Sequence, residues 1–164
     1  MFKKYKKILN KKEKQKILNF VKTKVQYLGE GYPGLQSKDN LHSYKEMDVF
    51  IKKVQKFITP NNIKTCWANY STGDTVAWHT HNCKYNIVYY LFNPSKLGVM
   101  FQKQNDSIEH TEGIENSLVI FDGSKIHSAP NSEKKINRYT IAMEIIWVLR
   151  KINTQLLEKQ YQKT

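Results

Sequence analysis

Three histidines and one arginine carry the chemistry most readily read from this chain. His79 and His81 lie one residue apart in Trp78-His79-Thr80-His81, and His127 follows His81 by 46 residues. On an extended strand, side chains one residue apart point to the same face. The pair would therefore present two imidazoles together. A third imidazole from a distant segment completes one face of a metal's coordination sphere. Positions stay open for substrate and oxygen, which suits a mononuclear non-haem iron site. Arg138, in Arg138-Tyr139-Thr140, offers a rigid fork that grips a carboxylate with two bonds. Of 27 basic residues only Arg138 and Arg150 are arginine, so a position that departs from lysine suggests that the fork is needed. A lone histidine is more often a hydrogen-bonded core or surface residue than a ligand. The weight therefore rests on the set of three. His42 and His110 fall outside the pattern and read as surface residues.

The elements that must position these groups show in the hydrophobic pattern. Ile17, Leu18, Val21, Val25 and Leu28 recur at helical spacing with lysines opposite. A second helix is predicted from Ser43, where Ser43-Tyr44-Lys45-Glu46 has the form of a capping box. Its stripe is Met47, Phe50, Ile51, Val54, Phe57 and Ile58, with Pro60 beyond the stop. Both stripes read as packing faces. From residue 63 the texture changes to short strands at Thr65–Tyr70, Val76–His81, Asn86–Phe92, Gly98–Gln102, Ser107–Thr111, Ser117–Phe121 and Arg138–Trp147. Turn residues separate most of them. Strands of this length and spacing predict a sandwich or jelly roll. Alternation places Asn86, Val88 and Tyr90 on one strand face. A tyrosine hydroxyl inside a barrel needs a partner, which an anionic ligand would supply. The plain reading, with ten tyrosines in the chain, is packing. We divide the chain into an N-terminal helical region (1–62), a β core (63–150) and a polar tail (151–164).

With 164 residues, 40% of them hydrophobic, the chain is expected to be one structural domain with a real core. No apolar run is long enough to span a bilayer, and the lysine-rich start has no apolar segment behind it, so no secretory signal and no membrane are expected. Cys66 and Cys83 form neither a disulfide framework nor a CxxC pair. A reducing, cytoplasmic compartment is the default. The net charge of +13 invites a nucleic-acid reading. Its distribution weakens that reading, because residues 1–24 hold ten lysines and one acid while 60–150 hold nine basic and eight acidic residues. A solvated, lysine-rich face is favoured over a nucleic-acid arm.

The ordered set Tyr70-Ser71-Thr72-Gly73-Asp74, Trp78-His79-Thr80-His81, Val88-Tyr89-Tyr90-Leu91, Gly98, Phe101, Leu118-Val119-Ile120-Phe121, His127, Pro130 and Arg138-Tyr139-Thr140 resembles the iron(II)/2-oxoglutarate-dependent oxygenases. Within them it is most similar to the prolyl-hydroxylase-like branch and to a set of bacterial and phage oxygenases. If the chain is viral, the compartment would be the host cytoplasm. The resemblance covers about residues 63–148 and implies a double-stranded β-helix with helices packed outside. It implies Fe(II), 2-oxoglutarate and dioxygen, with ascorbate as a candidate accessory, and hydroxylation of a C–H bond as 2-oxoglutarate goes to succinate. By position, His79 and His127 resemble the family's metal histidines. Arg138 resembles the residue that binds the distal carboxylate of 2-oxoglutarate. Thr140 and Tyr90 resemble its hydroxyl partners, and Tyr70 a residue at the near end of that pocket. His81 stands where the family usually has Asp or Glu. Asp74 and Asp122 are carboxylates near the expected rim that lack the spacing to substitute.

Two other readings stay open at this point. One is a cupin-like three-histidine enzyme, a dioxygenase or zinc hydrolase that needs no 2-oxoglutarate; Arg138 speaks against it. The other is a non-catalytic nucleic-acid module built on the basic N-terminus. The substrate (protein side chain, nucleobase or small molecule) leaves no legible mark.

Overall fold

The computed structural model describes residues 2–28, 32–58, 63–72, 75–130 and 136–146. Pro60, Asp74, Trp147, Arg150 and the tail 151–164 lie outside the described residues. The architecture is the expected mainly-β double-stranded β-helix. A seven-stranded antiparallel sheet has the order β1-β8-β5-β10-β4-β3-β2, and a three-stranded sheet the order β7-β6-β9. Their strands are β1 (Phe2–Lys6), β2 (Tyr27–Leu28), β3 (Leu35–Gln36), β4 (Ile63–Ser71), β5 (Tyr85–Phe92), β6 (Leu97–Gln102), β7 (Ile108–Glu112), β8 (Ser117–Asp122), β9 (His127–Ser128) and β10 (Arg138–Ile145).

Strands β5 and β10 lie in the middle of the large sheet and are buried on both faces, which explains their near-continuous apolar runs. Outward, Ile87, Tyr89, Leu91, Ile141 and Met143 pack beneath Ile17, Leu18 and Val21 of helix α1 (Lys11–Lys24) and Phe50 and Val54 of helix α2 (Asp48–Val54). Phe50 is fully buried with its ring 4.8 Å from Tyr89. Burying such a side chain contributes about 2–3 kcal/mol. Inward, Tyr90, Val99, Phe101, Val119 and Phe121 form a smaller cluster between the sheets.

Three local expectations are corrected. Residues 2–6 form a strand rather than part of a helix. Strand β1 pairs with β8 in register Phe2↔Phe121 to Lys6↔Ser117, and Phe2 stacks on Phe101 at 5.3 Å. The capping box forms at Asn10, not Ser43. The Asn10 side chain accepts from the Glu13 amide at 2.9 Å, and the Glu13 carboxylate accepts from the Asn10 amide at 2.8 Å. Ser43 instead donates to the Asn40 carbonyl within a 3-10 turn, and α2 begins only at Asp48. Finally, Val76–His81 is not a ladder strand. Its facing partner β9 is two residues long, so the segment is extended but paired at a single bridge, His79↔His127. No helix among the described residues is long and apolar enough to cross a membrane.

Candidate metal centre

A cavity of about 650 Å³ opens between the two sheets. Its floor follows from strand alternation. Thr65, Trp67 and Asn69 of β4, Asn86, Val88 and Tyr90 of β5, and Arg138, Thr140, Ala142 and Glu144 of β10 all face it. Cross-strand register aligns them in rows: Asn69–Thr140–Tyr90, Trp67–Ala142–Val88 and Thr65–Glu144–Asn86. The face predicted for Asn86, Val88 and Tyr90 is therefore the one observed.

His79, His81 and His127 meet in this cavity. The extended segment 76–81 keeps His79 and His81 on one side, and the reciprocal 3.0 Å backbone bonds between His79 and His127 bring the third ring alongside. Their ligand-capable nitrogens all lie within 4.8 Å of one another. Each Nδ1 faces an oxygen acceptor: the Ala77 carbonyl at 2.7 Å for His79, the Lys125 carbonyl at 2.9 Å for His127, and Glu144 Oε1 at 2.8 Å for His81. A carbonyl can only accept, so Nδ1 of His79 and of His127 must carry the proton. The Glu144 carboxylate asks the same of His81. Three Nε2 lone pairs are left for a cation, and hydrogen bonds from the far ring nitrogen hold metal-ligating histidines in place. The donor set fits a divalent metal bound on one face.

Burial favours the neutral, ligating form of His127 and His81. The His127 ring is buried against Phe121 at 4.7 Å. Desolvation pushes its pKa down to about 4, against the Lys125 carbonyl, with the neighbouring histidine rings adding to the fall. Burial also lowers His81, although Glu144 pulls the other way. For Glu144, burial alone would raise the carboxyl, but the Lys64 ammonium at 2.9 Å and His81 together hold it below the usual carboxylate range.

Away from the imidazoles lies Arg138, the first residue of β10 and 7% exposed. No acidic side chain among the described residues pairs with it. A buried charge is costly unless paired, so this guanidinium suits an anion that the described residues do not supply. Thr140 stands two residues on, with its hydroxyl accepting from Asn69 Nδ2 at 3.4 Å. The Tyr90 hydroxyl accepts from the Val99 amide at 2.9 Å. Burial raises the Tyr90 phenol, opposed by the Val99 amide, the Thr111 hydroxyl and the Arg138 charge.

Tyr70 is the exception among the predicted residues. Alternation along β4 turns Asn69 into the cavity and Tyr70 away from it. The Tyr70 ring lies 5.0 Å from Tyr139, and its hydroxyl donates to Asn137 Oδ1 at 3.0 Å. Asp122 also takes no part, since its carboxylate caps Ser124. His42 and His110 lie outside the cluster. The residue that sequence reasoning missed is Glu144. Its signal was present: a single acid inside the apolar run Ile141-Ala142-Met143-Glu144-Ile145-Ile146.

No family model and no curated protein matches the sequence. Solved structures do match the fold. A prolyl hydroxylase of Trichoplax adhaerens, crystallised with a hypoxia-inducible-factor peptide fragment, superposes with a TM-score of 0.67 at 15% identity, over 88% of this chain and 83% of its own. The collagen prolyl hydroxylase of Paramecium bursaria Chlorella virus-1, solved as a 2-oxoglutarate complex, gives 0.67 at 13% identity, over 90% and 96%. HygX of Streptomyces hygroscopicus, solved with nickel and 2-oxoglutarate bound, gives 0.70 at 6% identity, over 87% and 81%. This chain thus has the double-stranded β-helix fold seen in 2-oxoglutarate-binding oxygenase structures.

Proposed function

We propose that this protein is an Fe(II)- and 2-oxoglutarate-dependent dioxygenase that oxidises a C–H bond of a substrate held at the cavity mouth. One observation carries the reading: a buried arginine with no acidic partner among the described residues shares a cavity with three imidazoles whose free nitrogens converge. A three-histidine enzyme without an anionic co-substrate has no use for that arginine.

When bound, iron and 2-oxoglutarate supply the oxidising chemistry; one atom of dioxygen ends in succinate as carbon dioxide leaves, and the other in the hydroxylated substrate. The protein's residues bind, orient and shield. His79, His81 and His127 hold the metal through Nε2, each fixed by its Nδ1 bond. Arg138 grips the distal carboxylate of 2-oxoglutarate with two charge-assisted bonds. Thr140 uses its oxygen as an acceptor for Asn69, which leaves its hydroxyl proton to donate to that carboxylate, and Tyr90 lines the same end of the cavity. Val99, Phe101, Val119 and Phe121 close the back of the site to water.

The test is 2-oxoglutarate titrated anaerobically into Fe(II)-loaded protein, followed by admission of oxygen. Saturable binding, then succinate in proportion to 2-oxoglutarate consumed, is expected. Metal-loaded protein that neither binds nor consumes 2-oxoglutarate would refute the reading.

A further inference from the structure

The site poses a problem of charge. Three neutral imidazoles give a bound divalent cation no negative ligand. Yet the cavity holds a carboxylate that ends one hydrogen bond short of the ligand shell. Glu144 is 8% exposed, and its two oxygens are divided between two partners: Oε1 faces His81 Nδ1 at 2.8 Å, and Oε2 takes the Lys64 ammonium at 2.9 Å. The Thr65 hydroxyl, its cross-strand neighbour on β4, does not compete for it, since that hydroxyl is buried without a hydrogen-bond partner. His79 and His127 have only backbone carbonyls in the corresponding place. The asymmetry falls on the one ligand that lies at position 81.

We propose that Glu144 is the positioning residue of the metal centre: its bond to His81 fixes the third imidazole and places beside the metal the negative charge that no ligand carries. This rests on the reading that the three histidines bind a metal. A carboxylate hydrogen-bonded to a ligating imidazole raises the ring's basicity as a ligand and locks its orientation. Lys64 anchors the far oxygen, so the near one stays turned to His81. Tyr85–Phe92 and Ile63–Ser71 hold β10 on both sides, which fixes the Glu144 backbone in the middle of the sheet.

The test is a double-mutant cycle on the full chain, read by anaerobic Co(II) titration. Glu144→Gln keeps size and an acceptor but removes the charge, and should weaken Co(II) binding about 10- to 100-fold. His81→Asp puts a carboxylate in the ligand position, where Glu144 becomes a like-charged neighbour. In that background Glu144→Gln should tighten Co(II) binding. A residue that served packing alone would give the same loss in both backgrounds, and that result would overturn the proposal. Should His81→Asp fail to fold, proton NMR of zinc-loaded protein decides. The deshielded His81 Nδ1 proton should move upfield in Glu144→Gln, while the His79 and His127 Nδ1 protons stay in place. An unmoved His81 proton overturns the positioning role. Wild-type protein that takes up Co(II) normally, with Glu144→Gln equally tight, removes Glu144's role alone. Wild-type protein that takes up no metal removes the metal-centre reading together with it.

Discussion

Replacing Arg138 with methionine should do two opposite things. Methionine keeps the length of the aliphatic stem and deletes the fork. Each charge-assisted hydrogen bond from a guanidinium contributes about 1.5–3 kcal/mol. Two such bonds to the distal carboxylate therefore predict a loss of about 3–6 kcal/mol, or roughly 10²- to 10⁴-fold weaker 2-oxoglutarate binding. Arg138→Lys keeps the charge without the fork and should fall between the two. Metal affinity should stay unchanged in both, because the imidazoles are held by their own partners. The ligand-free protein should respond with the other sign. Arg138 is 7% exposed and unpaired among the described residues, so removing it relieves a desolvated charge. Urea unfolding of metal-free Arg138→Met should show stability equal to or above wild type. The paired assay is anaerobic calorimetry with 2-oxoglutarate beside equilibrium unfolding without it. Unchanged 2-oxoglutarate affinity would refute the role of the fork. A markedly destabilised ligand-free variant would show that the guanidinium is a structural group with partners of its own.

Three further outcomes follow from the same geometry. Metal-free protein should lose stability as pH falls from about 6.5 towards 4. His127 is held neutral with its pKa near 4 against an ordinary 6.5, so the unfolded chain binds its proton first; that gap corresponds to about 3 kcal/mol. A flat acid limb in unfolding experiments over that window would contradict the buried, neutral ring. Tyr70→Phe should leave 2-oxoglutarate affinity unchanged while Thr140→Val lowers it by about 1 kcal/mol; the reverse order in calorimetry would restore the tyrosine to the pocket. Phe50→Ala should destabilise the fold by about 3–5 kcal/mol in urea, and a cost below about 1 kcal/mol would mean that α2 does not seal the outer face of the sheet.

The histidines and Arg138 could be read in the chain because period-two alternation is a local property. It needs only that His79 and His81 be extended and that Arg138 open a strand. The same alternation placed Asn86, Val88 and Tyr90 correctly. What failed depended on partners distant in sequence. Phe2 and Tyr5 sit among four lysines, and only the β8 edge, which accepts them in register, makes that segment a strand. Asn10-Lys11-Lys12-Glu13 and Ser43-Tyr44-Lys45-Glu46 both have the capping-box form. The first is realised, and Lys53 of α2 adds a 2.6 Å bond to Glu13. Tyr70 was misplaced by one residue, and a shift of one reverses the face. Its role came from the resemblance, and the alternation of β4 gives the cavity position to Asn69.

Strand β10 shows why the missed carboxylate belongs to the same design as the arginine that was found. Arg138, Thr140, Ala142 and Glu144 share one face, at steps of two. Six residues of strand at about 3.3 Å each separate the first from the last by roughly 20 Å. One end of the strand carries a cation with no acidic partner among the described residues, and the other a carboxylate turned to one of the three clustered imidazoles. Between them Ala142 is small and leaves room above the floor. A single register choice against β4 and β5 thus sets the sign of charge at both ends of the cavity. An isolated salt-bridge partner for His81 could have come from any element. Its place on the strand that starts with Arg138 means that any slip of β10 would remove the anion clamp and the imidazole's carboxylate together. The register irregularities at Tyr139/Thr140 towards β5 and at Glu144/Ile145 towards β4 lie within or at the edge of this stretch. From Thr140 to Glu144 the pairing with both neighbours is unbroken.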